Sequence, residues 1–216
     1  KTRISRVRHN PFRVVEMFEE TMADYCGAPY AIATDNCTDA LMIAAKYLNV
    51  KEVTIPARTY LSVPQSILHA GGTVKFRDYD WKGIYQLEPY PLYDSAKRLT
   101  SDMYIKGSIM CLSFHIKKLL PIGKGGMILT DDEDLVYFAK RSRYEGRHEV
   151  RMDKDNIALL GWNAYMTPEQ AARGLTLMHN YPTHADDISN VDSFENEPYY
   201  PDLRDYDLFK DCETVE

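Results

Sequence analysis

The chain has 216 residues, of which 44% are hydrophobic, and this is enough for one domain with a buried core. With 32 acidic residues against 26 Lys and Arg, the formal net charge of -6 disfavours binding to nucleic acid or to an anionic membrane. The four cysteines are scattered and form no CxxC pair, so we expect neither a zinc site nor a disulfide framework, and a reducing cytoplasm as the compartment. No apolar run is long enough to span a bilayer.

Helices and strands alternate along most of the chain. Apolar residues recur at steps of three and four between Pro11 and Tyr25, which predicts an amphipathic helix that ends at Cys26-Gly27. Strands are then predicted at residues 30–34, 52–55, 74–76, 90–93, 109–114 and 126–130, and helices at 40–48, 63–70, 132–143 and 168–178. This order predicts an α/β fold around a mostly parallel sheet.

The last part of the chain has no clear period. Residues 182–216 are rich in Asp, Glu, Asn, Pro and Tyr, which predicts an irregular, acidic tail. We therefore expect one domain over residues 1–181 and a tail over residues 182–216.

Two adjacent lysines follow the strand predicted at 109–114 and precede a glycine cluster. Strand ends are where α/β sheets place ligands. A lysine becomes a nucleophile toward carbonyls when burial or a neighbouring cation favours its neutral amine, and Lys117 is such a neighbour for Lys118. A solvated basic pair is the alternative. A Walker phosphate loop is excluded, because Lys118 stands where that motif requires glycine.

The segment from Cys111 to Gly126 resembles the active-site segment of the DegT/DnrJ/StrS-type sugar aminotransferases. That segment reads Ser-Phe-His/Phe-x-x-Lys followed by Gly-Glu-Gly-Gly, and Ser113 and Lys118 match it in register. The resemblance implies the fold type I, aspartate-aminotransferase-like architecture, with a three-layer α/β/α large domain. It also implies pyridoxal 5'-phosphate (PLP) as cofactor, bound as a Schiff base to Lys118 and contacted by Ser113.

Two earlier segments are similar to cofactor-binding segments of that family. Asp-Asn-Cys-Thr-Asp-Ala-Leu at 35–41 resembles its phosphate-binding turn, which implies that Thr38 and Asp39 bind the phosphate where a helix begins. Pro-Ala-Arg-Thr-Tyr at 56–60 implies that Tyr60 stacks on the pyridine ring. Taken singly, a capped helix and a core aromatic residue are the ordinary interpretations, and the shared order of the motifs favours the family.

Two further segments extend the resemblance. Tyr-Asp-Ser-Ala-Lys at 93–97 implies that Asp94 keeps the pyridine nitrogen protonated, which makes the ring a better electron sink. Lys97 replaces the glutamine that lies near the phenolic oxygen of the cofactor in the family. Gly-Trp-Asn-Ala-Tyr-Met at 161–166 implies that Asn163 reaches the phosphate in a neighbouring subunit, and therefore a homodimer.

The chain departs from the family in two places. Relatives have a further strand and helix before the residue that matches Asp94, whereas only thirteen residues separate Asp80 from Asp94 here. From the resemblance we also expect most of the small C-terminal domain to be absent. We therefore expect a shortened large domain that lacks one βα unit and some walls of the substrate pocket.

The resemblance implies transfer of an amino group from a donor such as glutamate to a keto sugar that is linked to a nucleotide. Lys118 would move the proton during this transfer. A lysine at this position argues against the dehydratase branch of the family, which has histidine there. Two alternatives stay open: transamination of a non-sugar carbonyl, and a degenerate PLP-fold protein that binds without turnover.

Overall fold

The computed structural model describes residue 10 and residues 12–189 and 200–215. The helices are α1 (Arg13–Cys26), α2 (Cys37–Tyr47), α3 (Ser62–Ala70), α4 (Glu133–Ser142) and α5 (Pro168–Met178). The strands are β1 (Tyr30–Thr34), β2 (Glu52–Pro56), β3 (Thr73–Arg77), β4 (Tyr85–Gln86), β5 (Leu92–Asp94), β6 (Ile109–Ser113), β7 (Gly126–Thr130) and β8 (Glu213–Val215). Every predicted helix and strand is found within a few residues of its expected position, whereas β4 and β8 were not predicted.

The strands form two groups joined through one pair of residues. The first group has the order β1-β7-β6-β5-β4, and the second has the order β2-β3-β8. Pairing is parallel except where β7 and β4 meet their neighbours. Backbone hydrogen bonds of 2.9 and 3.1 Å connect Thr54 of β2 to Glu88, which follows the end of β4 closely. The predicted mostly parallel α/β fold is confirmed.

Strand β4 lies between β5 and β2, and it belongs to the chain interval before Asp94 in which we expect a βα unit to be missing. It is short and antiparallel to β5, with Tyr85 opposite Asp94 and Gln86 opposite Tyr93. A parallel neighbour needs a long crossover connection, whereas an antiparallel neighbour needs only a tight turn. The thirteen residues before Asp94 are enough for the second arrangement, and they close the gap in the sheet.

Helices cover both faces of the sheet. Alternate residues of β1 point to opposite sides, so that Ile32 packs with α2, α3 and α4 whereas Ala31 and Ala33 pack with α1 and α5. β6 and β7 divide in the same way. The result is the three-layer α/β/α arrangement, and no helix within the described ranges is long and apolar enough to cross a membrane.

The segment after α5 returns along the surface of the domain. The guanidinium of Arg98 donates to the carboxylate of Asp187 at 3.0 and 2.6 Å, and the amide of Ile188 donates to the carbonyl of Lys97 at 2.9 Å. These bonds fix residues 187–189 beside the loop that follows β5.

The C-terminal residues that the structure describes also pack on the domain. Leu203 and Phe209 are buried, the ring of Phe209 meets that of Phe76 edge-on at 5.8 Å, and β8 extends the sheet beside β3. Residues 200–215 are therefore ordered where the sequence predicts an irregular tail, because two well-separated buried residues produce no recognisable period. The domain boundary near residue 181 stays a prediction.

Candidate active site

A cavity of about 680 Å³ opens where β1, β5 and β6 end. These three strands run in the same direction, so their carboxyl ends meet at one edge of the sheet, which is the usual ligand-binding edge of an α/β fold. The cavity is lined by six of the eight predicted site residues: Thr38, Tyr60, Asp94, Lys97, Ser113 and Lys118.

One wall of the cavity is the first turn of α2. Asn36 caps this helix, and its side-chain oxygen accepts from the amide of Asp39 at 2.8 Å. Among the described residues, the amides of Cys37 and Thr38 have no carbonyl partner inside the helix, and both residues line the cavity. The hydroxyl of Thr38 donates to that of Ser62 at 2.7 Å. Two amides at the positive end of a helix dipole form a suitable site for a phosphate.

Gly126 allows this helix to begin so close to the sheet. A β-carbon at this position would fall closer to the backbone of Asn36 and Cys37 than real side chains permit. Glycine is therefore required at the start of β7 by a close approach of two backbones, and the approach determines where the first turn of α2 lies.

The carboxylate of Asp94 is buried at the side of the cavity, with 3% of the residue exposed. One oxygen accepts from the amide of Ala96 at 2.8 Å and the other from the hydroxyl of Tyr85 at 3.0 Å. Burial raises the pKa of Asp94, and the Ala96 amide, the charge of Lys118 and the Tyr85 hydroxyl act in the opposite direction. The carboxylate is thus oriented by two donors and has lone pairs left for a third.

Lys97 lies in an aromatic environment beside Asp94, with only 2% of the residue exposed. Its ammonium nitrogen donates to the carbonyl of Ser189 at 2.5 Å and lies 5.2 and 4.6 Å from the ring centroids of Trp81 and Tyr200. Burial lowers the pKa of Lys97 to about 8, and the charge of Lys118 contributes to this shift. The replacement of glutamine by Lys97 therefore adds a lysine to a cavity that is also lined by Lys117, Lys118 and Lys124.

Lys118 lies in the loop that follows β6. Its amide donates to the carbonyl of His115 at 2.8 Å, and the residue is half-buried, whereas Lys117 is exposed. The loop closes on the glycine cluster, where Gly123 and Gly125 have φ of 118° and 155°, values that favour glycine. The side chain of Lys118 is therefore directed to the cavity by a compact loop.

The other predicted residues lie at the rim or outside. Tyr60 is 54% exposed, and its ring centroid is 6.1 Å from that of Tyr200. Asp39 and Asn163 do not line the cavity; Asn163 is exposed and its amide donates to the carboxylate of Glu145 at 3.1 Å. The backbone amide of Asp39, which was predicted to bind the phosphate, donates instead to the side-chain oxygen of Asn36.

Three aromatic residues contribute to the site without having been identified from the sequence. Trp81 and Tyr200 line the cavity, and Tyr85 supports Asp94 from β4. No motif marked them, because they lie in the shortened interval and in the C-terminal segment. Among the described residues, no group of His, Cys, Asp or Glu could hold a metal ion.

The groups in the cavity fit PLP. Lys118 offers an amine, Asp94 a buried carboxylate, the start of α2 an anion site and Tyr60 an aromatic ring, all on one cavity. These four groups lie together at one strand edge of an α/β/α fold, which is where such folds bind their ligands. The chain belongs to the DegT/DnrJ/EryC1/StrS aminotransferase family, whose model matches residues 7–90 and 104–192. Asp94 and Lys97 lie in the interval between the two matched segments.

Individual proteins are similar to this chain in sequence or in fold. The chain is 28% identical over 217 residues to GDP-perosamine synthase of Caulobacter vibrioides, covering 80% of this chain and 58% of that protein. AtS13 from Actinomadura melliaura has a TM-score of 0.70 at 19% identity, over 79% of this chain and 60% of that one. NtdA from Bacillus subtilis, solved with bound cofactor PMP, has a TM-score of 0.59 at 26% identity, over 76% and 47%. The chain spans less than two thirds of the length of each.

Proposed function

We propose that this chain binds PLP through Lys118 and transfers an amino group from an amino acid such as glutamate to a nucleotide-linked keto sugar. The observation that carries the proposal is the convergence of Lys118, Asp94 and the start of α2 on one cavity. PLP supplies the electron sink for the carbanion that forms when an amino acid loses its α-proton.

The residues of the cavity would divide the work between binding and proton transfer. The amides of Cys37 and Thr38, with the hydroxyl of Ser113, would hold the phosphate. Asp94 would keep the pyridine nitrogen protonated. The amine of Lys118 would bind the cofactor covalently, and, once released by the donor, take and return the proton on the substrate.

The acceptor and the assembly rest on different kinds of support. The name of the Caulobacter relative, GDP-perosamine synthase, supports a nucleotide-linked sugar as acceptor. The exposed position of Asn163, outside the cavity of its own chain, agrees with a homodimer in which it reaches a neighbouring site. All four cysteines are free thiols, which supports a reducing compartment such as the cytoplasm.

The proposal is tested by the visible absorption spectrum of the purified protein with PLP. We expect wild type and Lys117→Ala to show the band of a lysine-bound cofactor, and Lys118→Ala to lack it. Borohydride reduction followed by peptide mass analysis should locate the cofactor on Lys118. Glutamate should abolish the band, and a keto sugar nucleotide should restore it.

Two other results of this experiment would change the proposal. Absence of the band in wild type would refute the proposed activity and favour a protein that binds without turnover. A band that glutamate abolishes but that only a non-sugar carbonyl restores would correct the acceptor and leave the transaminase assignment intact.

A further inference from the structure

Tyr85 belongs to β4, the two-residue strand that pairs with β5. It lies opposite Asp94 in the antiparallel pair of β4 and β5, so both side chains project from the same face. The hydroxyl of Tyr85 donates to Asp94 at 3.0 Å and is 2.6 Å from the hydroxyl of Thr59. All three residues are buried, with 5%, 3% and 1% exposed for Tyr85, Asp94 and Thr59.

The direction of these hydrogen bonds follows from the donors available. An ionised carboxylate only accepts, so the hydroxyl hydrogen of Tyr85 points to Asp94. The oxygen of Tyr85 then accepts from Thr59, and a hydroxyl that accepts one bond becomes a stronger donor in the next. Thr59, Tyr85 and Asp94 thus form a chain of hydrogen bonds that ends on the carboxylate.

This chain opposes the effect of burial on Asp94. A carboxylate removed from water is driven toward its neutral form unless donors stabilise its charge. The Ala96 amide belongs to the loop that directly follows Asp94, whereas Tyr85 comes from a neighbouring strand and therefore also fixes the orientation of the carboxylate against the sheet. Strand β4 is only two residues long, and one of them provides this contact.

We propose that Tyr85 is a positioning residue for the aminotransferase reaction, holding Asp94 ionised and directed at the pyridine nitrogen of PLP. This inference rests on the proposed function of the cavity. Without the hydroxyl, Asp94 would compete more strongly for the proton that it shares with the pyridine nitrogen. The ring would then carry less positive charge and withdraw electrons less well when the donor loses its α-proton.

The test compares Tyr85→Phe with the control Tyr93→Phe in the PLP-loaded protein. Tyr93 lies next to Asp94 on β5 but opposite Gln86, on the other face of the strand. With PLP labelled with ¹⁵N in the ring, we expect the nitrogen signal of Tyr85→Phe to move toward that of unprotonated pyridine. We also expect the rate of the glutamate half-reaction to fall about tenfold to a hundredfold, since hydrogen bonds to charged groups are the strong ones.

The donor KM should stay within about twofold of wild type, because Tyr85 acts on the cofactor electronics and not on donor binding. Tyr93→Phe should match wild type in signal and rate. Thr59→Val should shift both in the same direction as Tyr85→Phe by a smaller amount, and it provides the test if Tyr85→Phe does not fold.

Two results overturn the inference and can be told apart. A loaded Tyr85→Phe protein with the nitrogen signal and rate of wild type refutes the role of Tyr85 while leaving the proposed function in place. A wild-type chain that does not bind PLP refutes the proposed function, and this inference falls with it.

Discussion

The ammonium nitrogen of Lys97 lies 4.6 Å from the centroid of the Tyr200 ring, on the wall of the cavity. The ring of Trp81 is nearly parallel to that of Tyr200, with 13° between their planes. A residue of the C-terminal segment therefore completes the environment of a lysine that follows β5. Burial of Lys97 lowers its pKa to about 8, with the charge of Lys118 as a second cause.

The lowered pKa of Lys97 predicts a pH dependence of stability. Between a pH of about 8 and the reference value of 10.5, the unfolded chain holds a proton on Lys97 that the folded chain has lost. The contribution of Lys97 to the free energy of unfolding therefore rises with pH across this interval. We therefore expect the unfolding free energy of wild type, measured in urea, to rise relative to that of Lys97→Met as the pH increases over this interval.

The control for this prediction is Lys106→Met, since Lys106 is an exposed lysine. Its difference from wild type should be nearly constant with pH. If the difference for Lys97→Met were equally flat, the lowered pKa of Lys97 would be refuted.

The C-terminal segment should contribute to stability through Phe209. This residue is 2% exposed and packs against Phe76, whereas its neighbour Leu208 is 61% exposed. Phe209→Ala should reduce the free energy of unfolding by about 3–5 kcal/mol, and Leu208→Ala by about 0.5 kcal/mol or less. Urea unfolding of the two variants measures both values. Equal small losses would show that residues 200–215 do not pack on the sheet in solution.

Local patterns in the sequence were sufficient to predict where several helices begin or end. Thr167 and Pro168 predicted the start of α5, and the structure has a full capping box there, with Gln170 as the partner of Thr167. Gly27 was predicted to end α1, and it caps that helix with φ of 72°. In each case the signal and the structure involve residues within one turn of each other.

The parts that the sequence could not predict depend on distant partners. Strand β4 exists because Tyr85 meets Asp94, and β8 because Glu213 meets Lys75; segments of two or three residues have no pattern of their own. The same limit applies to the start of α2. The motif indicated its amides as a phosphate site, but only the structure shows that Asn36 occupies the amide of Asp39.

Gly126 should be needed for both stability and cofactor binding. A β-carbon there would collide with the backbone of Asn36, so Gly126→Ala must displace the first turn of α2. We expect a loss of about 1–3 kcal/mol in unfolding free energy together with weaker PLP binding, measured by titration of the visible absorption. Gly107→Ala is the control: its φ of 77° makes alanine unfavourable, but no atom lies within 4 Å of the added carbon.

Gly107→Ala should therefore lower stability and leave PLP affinity unchanged. If Gly126→Ala bound PLP as tightly as Gly107→Ala, the position of α2 would not determine phosphate binding.

A buried ion pair between Glu19 and Arg143 connects α1 to the residue that follows α4. Glu19 also accepts from the amide of Ala33 at 2.8 Å, and both members of the pair are less than 5% exposed. Glu19→Gln replaces the carboxylate beside the buried guanidinium of Arg143 by a neutral amide. The loss of the paired charge should cost about 3–5 kcal/mol of unfolding free energy. Urea unfolding at fixed ionic strength measures this loss.

Glu20 provides a matched control one position along α1. Its carboxylate pairs with Arg13 at 3.0 Å, but both side chains are more than half exposed, so Glu20→Gln should cost about 0–1 kcal/mol. Added salt should reduce that small loss further and leave the loss in Glu19→Gln nearly unchanged, because buried charges are screened little. Comparable losses in the two variants would contradict the burial of the Glu19 pair.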